Sequence, residues 1–164
     1  MSESEFERRT LLVAGSAFAV VGLAGLAVPA RARAAALAAT PSMRGGDNNY
    51  MPGAEIVERI GGGGFWMSGT VRRAGDGAPL SGQRIQIWAH TTEGSERDRR
   101  SHGATLTDAN GAFRLEMPQI VPALGQAHAH LAYDSGEYDT VFLRPLMSSP
   151  KLTSLEAHFV LQPV

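Results

Sequence analysis

From Phe65 to the C-terminus no helical periodicity persists for more than two turns, and turn-forming residues interrupt the chain about every 8–15 residues. That rhythm points to an all-β fold. Strands are expected near 65–73, 83–90, 104–108, 112–117, 127–133, 140–144 and 156–162, which makes an antiparallel β-sandwich of about seven strands. In Arg84-Ile-Gln-Ile-Trp88 the apolar residues alternate with Arg84, Gln86 and Trp88, so Ile85 and Ile87 are expected to face the core. Trp66 and Trp88 are expected to pack at sheet edges. Asp76-Gly77 and Asn110-Gly111 are turn dipeptides, and the second is expected to close a hairpin between Ala104–Thr107 and Ala112–Met117.

Upstream of Phe65 the character changes twice. Residues 1–34 comprise a polar start ending in Arg8-Arg9, an apolar run from Leu11 to Val28, and Pro29-Ala-Arg-Ala-Arg-Ala34. This is the three-part plan of a signal peptide, and Phe6-Glu-Arg-Arg-Thr-Leu-Leu12 resembles the twin-arginine motif. Export through the twin-arginine translocase to the periplasm or the extracellular space is the expectation. Contact with a membrane would come only through this segment if it is not cleaved. Residues 35–64, rich in Ala, Pro, Ser and Gly, are expected to be a flexible linker, leaving 65–164 as the sandwich domain.

Composition narrows the chemistry. With 15 Lys+Arg against 16 Asp+Glu and no long basic run, the chain has no footprint for nucleic acid. It has no cysteine, so a metal would be held by nitrogen or oxygen. The Gly61–Gly64 run lacks the strand before and helix after that a phosphate loop requires.

The ordered set Ser68-Gly-Thr-Val71, Ala78-Pro-Leu-Ser-Gly82, Ile85-Gln-Ile-Trp88, Thr107-Asp-Ala-Asn-Gly-Ala-Phe113 and His128-Ala-His130 resembles the catalytic domain of intradiol ring-cleavage dioxygenases. Asn49-Tyr-Met-Pro-Gly-Ala54 resembles a segment that precedes this domain in small exported relatives, so the likeness covers about 50–164. The Thr-Asp-x-x-Gly hairpin also occurs in transthyretin-like modules. The resemblance implies a β-sandwich that holds non-haem iron through two Tyr and two His and cleaves catechol-type aromatics. Its two His fall on His128 and His130. Its two Tyr do not carry over: the matching stretches read Glu93-Gly-Ser-Glu96 and Pro122-Ala-Leu-Gly125. A family Arg aligns with His102, which thereby becomes the candidate catalytic residue.

Independently of that likeness, His128 and His130 are two apart on an expected strand, so their imidazoles leave one face with Cα atoms about 6.5 Å apart. That spacing lets both reach one metal; the alternative is a polar outer face with two solvated rings. Without phenolates, a third nitrogen from His102 or His90 would suit copper(II), zinc(II) or iron(II) better than ferric iron. Glu93, Glu96 and Asp98 offer a carboxylate instead, the two-imidazole, one-carboxylate set of iron(II) sites. Tyr50, Tyr133 and Tyr138 match no ligand position, although Tyr50 could fold over the site. Arg97, Arg99 and Arg100, interleaved with Glu96 and Asp98, read as a solvated loop, and His158 as a single exposed position. Two functions stay open: an exported dioxygenase-like enzyme with a small aromatic ligand and a degenerate mononuclear site, or a non-catalytic exported metal- or ligand-binding module.

Overall fold

The computed structural model describes residues 36–164; the expected signal peptide lies outside them. Seven strands form: β1 (Phe65–Arg73), β2 (Arg84–Ala89), β3 (His102–Leu106), β4 (Ala112–Met117), β5 (Ala129–Tyr133), β6 (Val141–Leu143) and β7 (Ser154–Leu161). They lie in two sheets of order β4-β1-β7 and β3-β2-β5-β6. Among the described residues the one helical element is the 3-10 turn Arg99–Ser101. The seven strands form close to the expected positions, β3 starting two residues early, and every strand but β3 offers an apolar face to a shared interior. Ile85, Ile87, Leu131 and Tyr133 meet Phe65, Met67, Val71, Leu115 and Phe159 there, all buried.

Two local expectations change. The sandwich is not wholly antiparallel, since β1 pairs with β7 in parallel over Trp66–Arg73. The Asn110-Gly111 turn forms, but it does not close a hairpin: β3 and β4 belong to different sheets, so the chain changes layer there. Asp108 shapes that turn by accepting the N–H groups of Asn110 and Ala112, and Gly111 takes a φ of 73°. Asn110 is not left-handed, so this is not the mirror-image turn in which both central residues have positive φ.

The larger correction concerns residues 36–64. They hold no strand, as expected, yet they do not form a free linker. Thr40 N–H donates to Val160 C=O on β7, and Met43 N–H to Phe142 C=O on β6. Val57 N–H donates to Ala104 C=O on β3, and Ile60 N–H to Glu116 C=O on β4. These four strands are the edges of the two sheets. The segment is therefore a belt that satisfies polar backbone groups on every edge, which exposed edges would offer to other chains. Between its contacts with β6 and β3 it crosses the outer face of the four-stranded sheet, burying Gln86, Trp88 and His130.

Candidate metal centre

Strand register sets the centre of that outer face. His102 and His130 are the Cα partners of Trp88 on the two neighbouring strands, so the three rings form a row across β3, β2 and β5. The indole stacks on both imidazoles, with centroids 5.4 Å from His102 and 5.2 Å from His130 and planes within 10° of parallel. Trp88 is fully buried in the middle of the sheet rather than at an edge, and its Nε1–H donates to Asn48 C=O on the belt.

This row separates His102 from His130. His102 stands on the far side of the indole, with Nε2 2.9 Å from Glu96 C=O and Nδ1 3.4 Å from Gln86 Nε2. Both of its nitrogens are engaged within the fold. It is therefore not the third member of the group around His128 and His130, and His90 is not part of that group either.

The third member is Glu96. One nitrogen or oxygen from each of Glu96, His128 and His130 lies within 4.8 Å of the others. Glu96 Oε2 is 3.3 Å from His130 Nε2 and 3.7 Å from His128 Nε2. Two donors bound at about 2.0–2.1 Å around a tetrahedral ion lie about 3.4 Å apart, so these spacings suit ligation. The side chains are shielded from water: His130 is 0% exposed, His128 10% and Glu96 20%. The imidazoles are not solvated.

Each donor is held from behind. His130 Nδ1 lies 3.0 Å from Gly46 C=O and His128 Nδ1 2.8 Å from Gln126 C=O, so each Nδ1–H donates to a carbonyl and leaves Nε2 as a lone pair. Asn49 Nδ2 donates to Glu96 Oε1 at 2.8 Å, which turns Oε2 toward the imidazoles. Burial pushes the His130 imidazole down from its usual range, against the pull of the Gly46 carbonyl and Glu96, and so favours the neutral, ligating form. The result is a lone pair facing a carboxylate oxygen. Neither His130 Nε2 nor Glu96 Oε2 has a hydrogen-bond partner, and both are buried. Two acceptors 3.3 Å apart repel unless a cation stands with them.

Glu93 and Asp98 have other employment. Glu93 accepts the N–H of Gly62, and Asp98 accepts the N–H of Ser95, shaping the loop that carries Glu96. The phenols are also placed elsewhere. The Tyr50 hydroxyl donates to Asp134 while its ring packs on Trp88 and Phe142. Tyr133 faces the core, and Tyr138 packs against it. His158 is exposed on the other sheet beside Thr70, 3.0 Å from its hydroxyl.

No family model and no curated protein matches the chain. Solved structures do. The hydroxyquinol 1,2-dioxygenase of Pseudomonas putida superposes with a TM-score of 0.59 at 14% identity, covering 78% of this chain and 68% of that one. The dioxygenase domain of a dioxygenase carbohydrate-binding protein fusion from a cellulolytic Streptomyces gives 0.57 at 15%, covering 77% of this chain and 99% of that domain. The 3-chlorocatechol 1,2-dioxygenase of Rhodococcus opacus gives 0.56 at 18%, covering 77% and 73%. At these identities the likeness is one of fold.

Proposed function

We propose that this chain, which has the intradiol dioxygenase-like fold, is an exported metal-binding protein in which His128, His130 and Glu96 hold one divalent ion. The observation that carries this reading is the buried His130 Nε2 facing Glu96 Oε2 at 3.3 Å, neither atom with a hydrogen-bond partner. A cation removes that conflict. The iron of intradiol enzymes rests on two phenolates as well as two imidazoles, and none of the three tyrosines here belongs to the group around His128 and His130. The donor set is instead two nitrogens and one carboxylate, which suits Fe(II), Zn(II) or Cu(II) better than Fe(III). An ion held this way supplies Lewis acidity and open coordination positions for an oxygen-bearing ligand. The residues around it do the rest: Gly46 and Gln126 orient the imidazoles, Asn49 aims the carboxylate, and the belt keeps bulk water off His130.

Apo protein titrated separately with Zn(II), Cu(II) and Fe(II) is expected to bind one ion per chain. At a hundredfold excess over Kd, binding adds about 2.7 kcal/mol to stability, and a domain of this size then melts several degrees higher. Protons compete for the imidazoles, so the increment shrinks as pH falls. Glu96→Gln and His128→Ala each remove it. A melting curve indifferent to all three ions ends this reading.

Ring cleavage of a catechol-type aromatic is the second reading, favoured by the shared fold and by a donor set with open positions. Iron-loaded protein incubated with a catechol panel would show muconate-type absorbance and oxygen uptake absent from His128→Ala. For export, Arg8-Arg9 replaced by Lys-Lys would trap a reporter fusion inside the cell, because the translocase reads the guanidinium pair.

A further inference from the structure

Across Trp88 from the metal centre, where the belt passes over β3, lies a cavity of about 440 Å³ that the proposed metal chemistry does not use. That volume is within the usual range of small-molecule sites, about 300–1,000 Å³. One wall is apolar. Val57 and Ile60 lie against Gly103 so closely that a Cβ there would meet Ile60 Cγ1 at 2.7 Å and Val57 Cγ2 at 2.8 Å, and Ala54 continues the surface. His102 joins this wall with both nitrogens already engaged, so it offers carbon rather than a polar atom.

The rim is cationic. Arg59, Arg99 and Arg100 border the cavity, against Glu55 as its one acidic residue. Arg59 and Arg100 reach carboxylates, Glu116 and Asp98, only at 3.7 Å with no hydrogen bond, and both side chains are more than half exposed. Among the described residues, Arg99 has no carboxylate within ion-pair distance. The three guanidinium groups thus keep donors to spare, and a carboxylate is the anion their planar fork matches best. The loop expected from the sequence to be merely solvated borders a half-apolar hollow.

We propose that this cavity binds an organic monocarboxylate with an apolar body, the carboxylate on Arg99 and Arg100 and the body against Ala54, Val57 and Ile60. Both halves of the ligand are needed. A small inorganic anion leaves the apolar wall wet, and a neutral amphiphile leaves the guanidinium groups unpaired.

The test uses the full chain and three probes at matched ionic strength: octanoate, octanamide and inorganic phosphate. Calorimetry is expected to show octanoate binding at least about tenfold more tightly than either other probe, the loss of one charged pair being enough for that ratio. Amide shifts on octanoate addition should centre on Val57, Ile60 and His102. Arg99→Ala with Arg100→Ala should weaken octanoate about tenfold or more, whereas Arg72→Ala with Lys151→Ala, an equal charge change elsewhere, should not. All four are exposed residues, so the variants should fold. Equal affinity for octanoate and phosphate, equal affinity for octanoate and octanamide, unchanged binding in the Arg99/Arg100 variant, or no octanoate binding overturns the proposal.

Discussion

The two sheets and the belt wrapped round them, residues 36–64, hold their shapes by different means. In the sheets, side chains decide: β1 buries Phe65, Met67 and Val71 on alternate positions, and β5 buries Leu131 and Tyr133 beneath them. Along the belt the backbone decides, through main-chain hydrogen bonds to one residue or another on each edge strand. Its buried apolar anchors are few, Ala54 and Ile60 among them. The candidate metal centre draws on both sides of this boundary. His130 and His128 rise from β5 and the residue before it, whereas two of the groups that aim the donors, Gly46 C=O and Asn49 Nδ2, sit on the belt. Damage to the sheets should therefore register as lost stability, and damage to the belt as lost metal affinity.

The largest effect expected is in the sheets. Phe159→Ala empties a fully buried site against Phe113 and should cost about 3–5 kcal/mol in urea unfolding. Molecules that remain folded should bind metal as the parent does. Gly46→Ala is the counterpart on the belt. A Cβ there would stand 2.9 Å from the backbone of Phe142, so the belt must shift, at about 1–3 kcal/mol by the usual scale of overpacking. That shift moves the carbonyl that orients His130, and metal affinity should fall about 10–100-fold, the usual result of losing such a partner. If Phe159→Ala weakens metal binding as much as Gly46→Ala does, the two regions are not separable.

The same contrast explains what the sequence discloses. Strands are legible because alternation records which face is buried, and Ile85 and Ile87 enter the core as their pattern requires. The His pair is legible because a spacing of two puts both rings on one face. The belt is not, since main-chain hydrogen bonds to sheet edges leave no periodic trace, and a run of Pro, Gly and Ser reads the same wrapped or free. Glu96 is one of three carboxylates in its loop, and only the fold singles it out, by bringing its Oε2 within 3.3 Å of His130 Nε2 while Glu93 and Asp98 accept the N–H groups of Gly62 and Ser95. The placing of His102 behind Trp88 depends on the register of three strands, which no local pattern specifies.

A smaller perturbation sharpens the division within the belt itself. Asn49 has a φ of 57°, a left-handed conformation that glycine adopts freely. Asn49→Gly therefore keeps the backbone and deletes only the amide that holds Glu96 Oε1. Melting temperature should scarcely change while metal affinity drops about tenfold. Asn49→Ala loses the same amide and adds backbone strain of about 1–2 kcal/mol, so it should lower both. Equal metal affinity in the parent and Asn49→Gly would show that Glu96 is aimed by something other than Asn49.

The smallest effect lies where the belt begins. Leu37 and Gly75 exchange both backbone hydrogen bonds, docking the start of the belt on the turn after β1. Asp76 shapes that turn: its carboxylate accepts from the Arg73 guanidinium and from the N–H of Ala78. The Arg73 hydrogen bond, with help from Ala78, holds the Asp76 carboxyl down at about 2. Because this is below the unfolded value of about 3.9, the unfolded chain takes up the proton first. The carboxylate's contribution is then present above about pH 4 and is lost as pH falls through about 2. Asp76 is fully exposed, so the loss is small and local. Protection of the Leu37 and Gly75 amides against hydrogen exchange should decline between about pH 4 and 2, while Ile85 and Phe159 in the strands keep theirs. Asp76→Asn should show the lower Leu37 protection already at neutral pH and no further step of its own on acidification. Simultaneous loss at Leu37 and at Phe159 would mean that belt and sheets open as one unit, and that the contrast between them ends at the metal site.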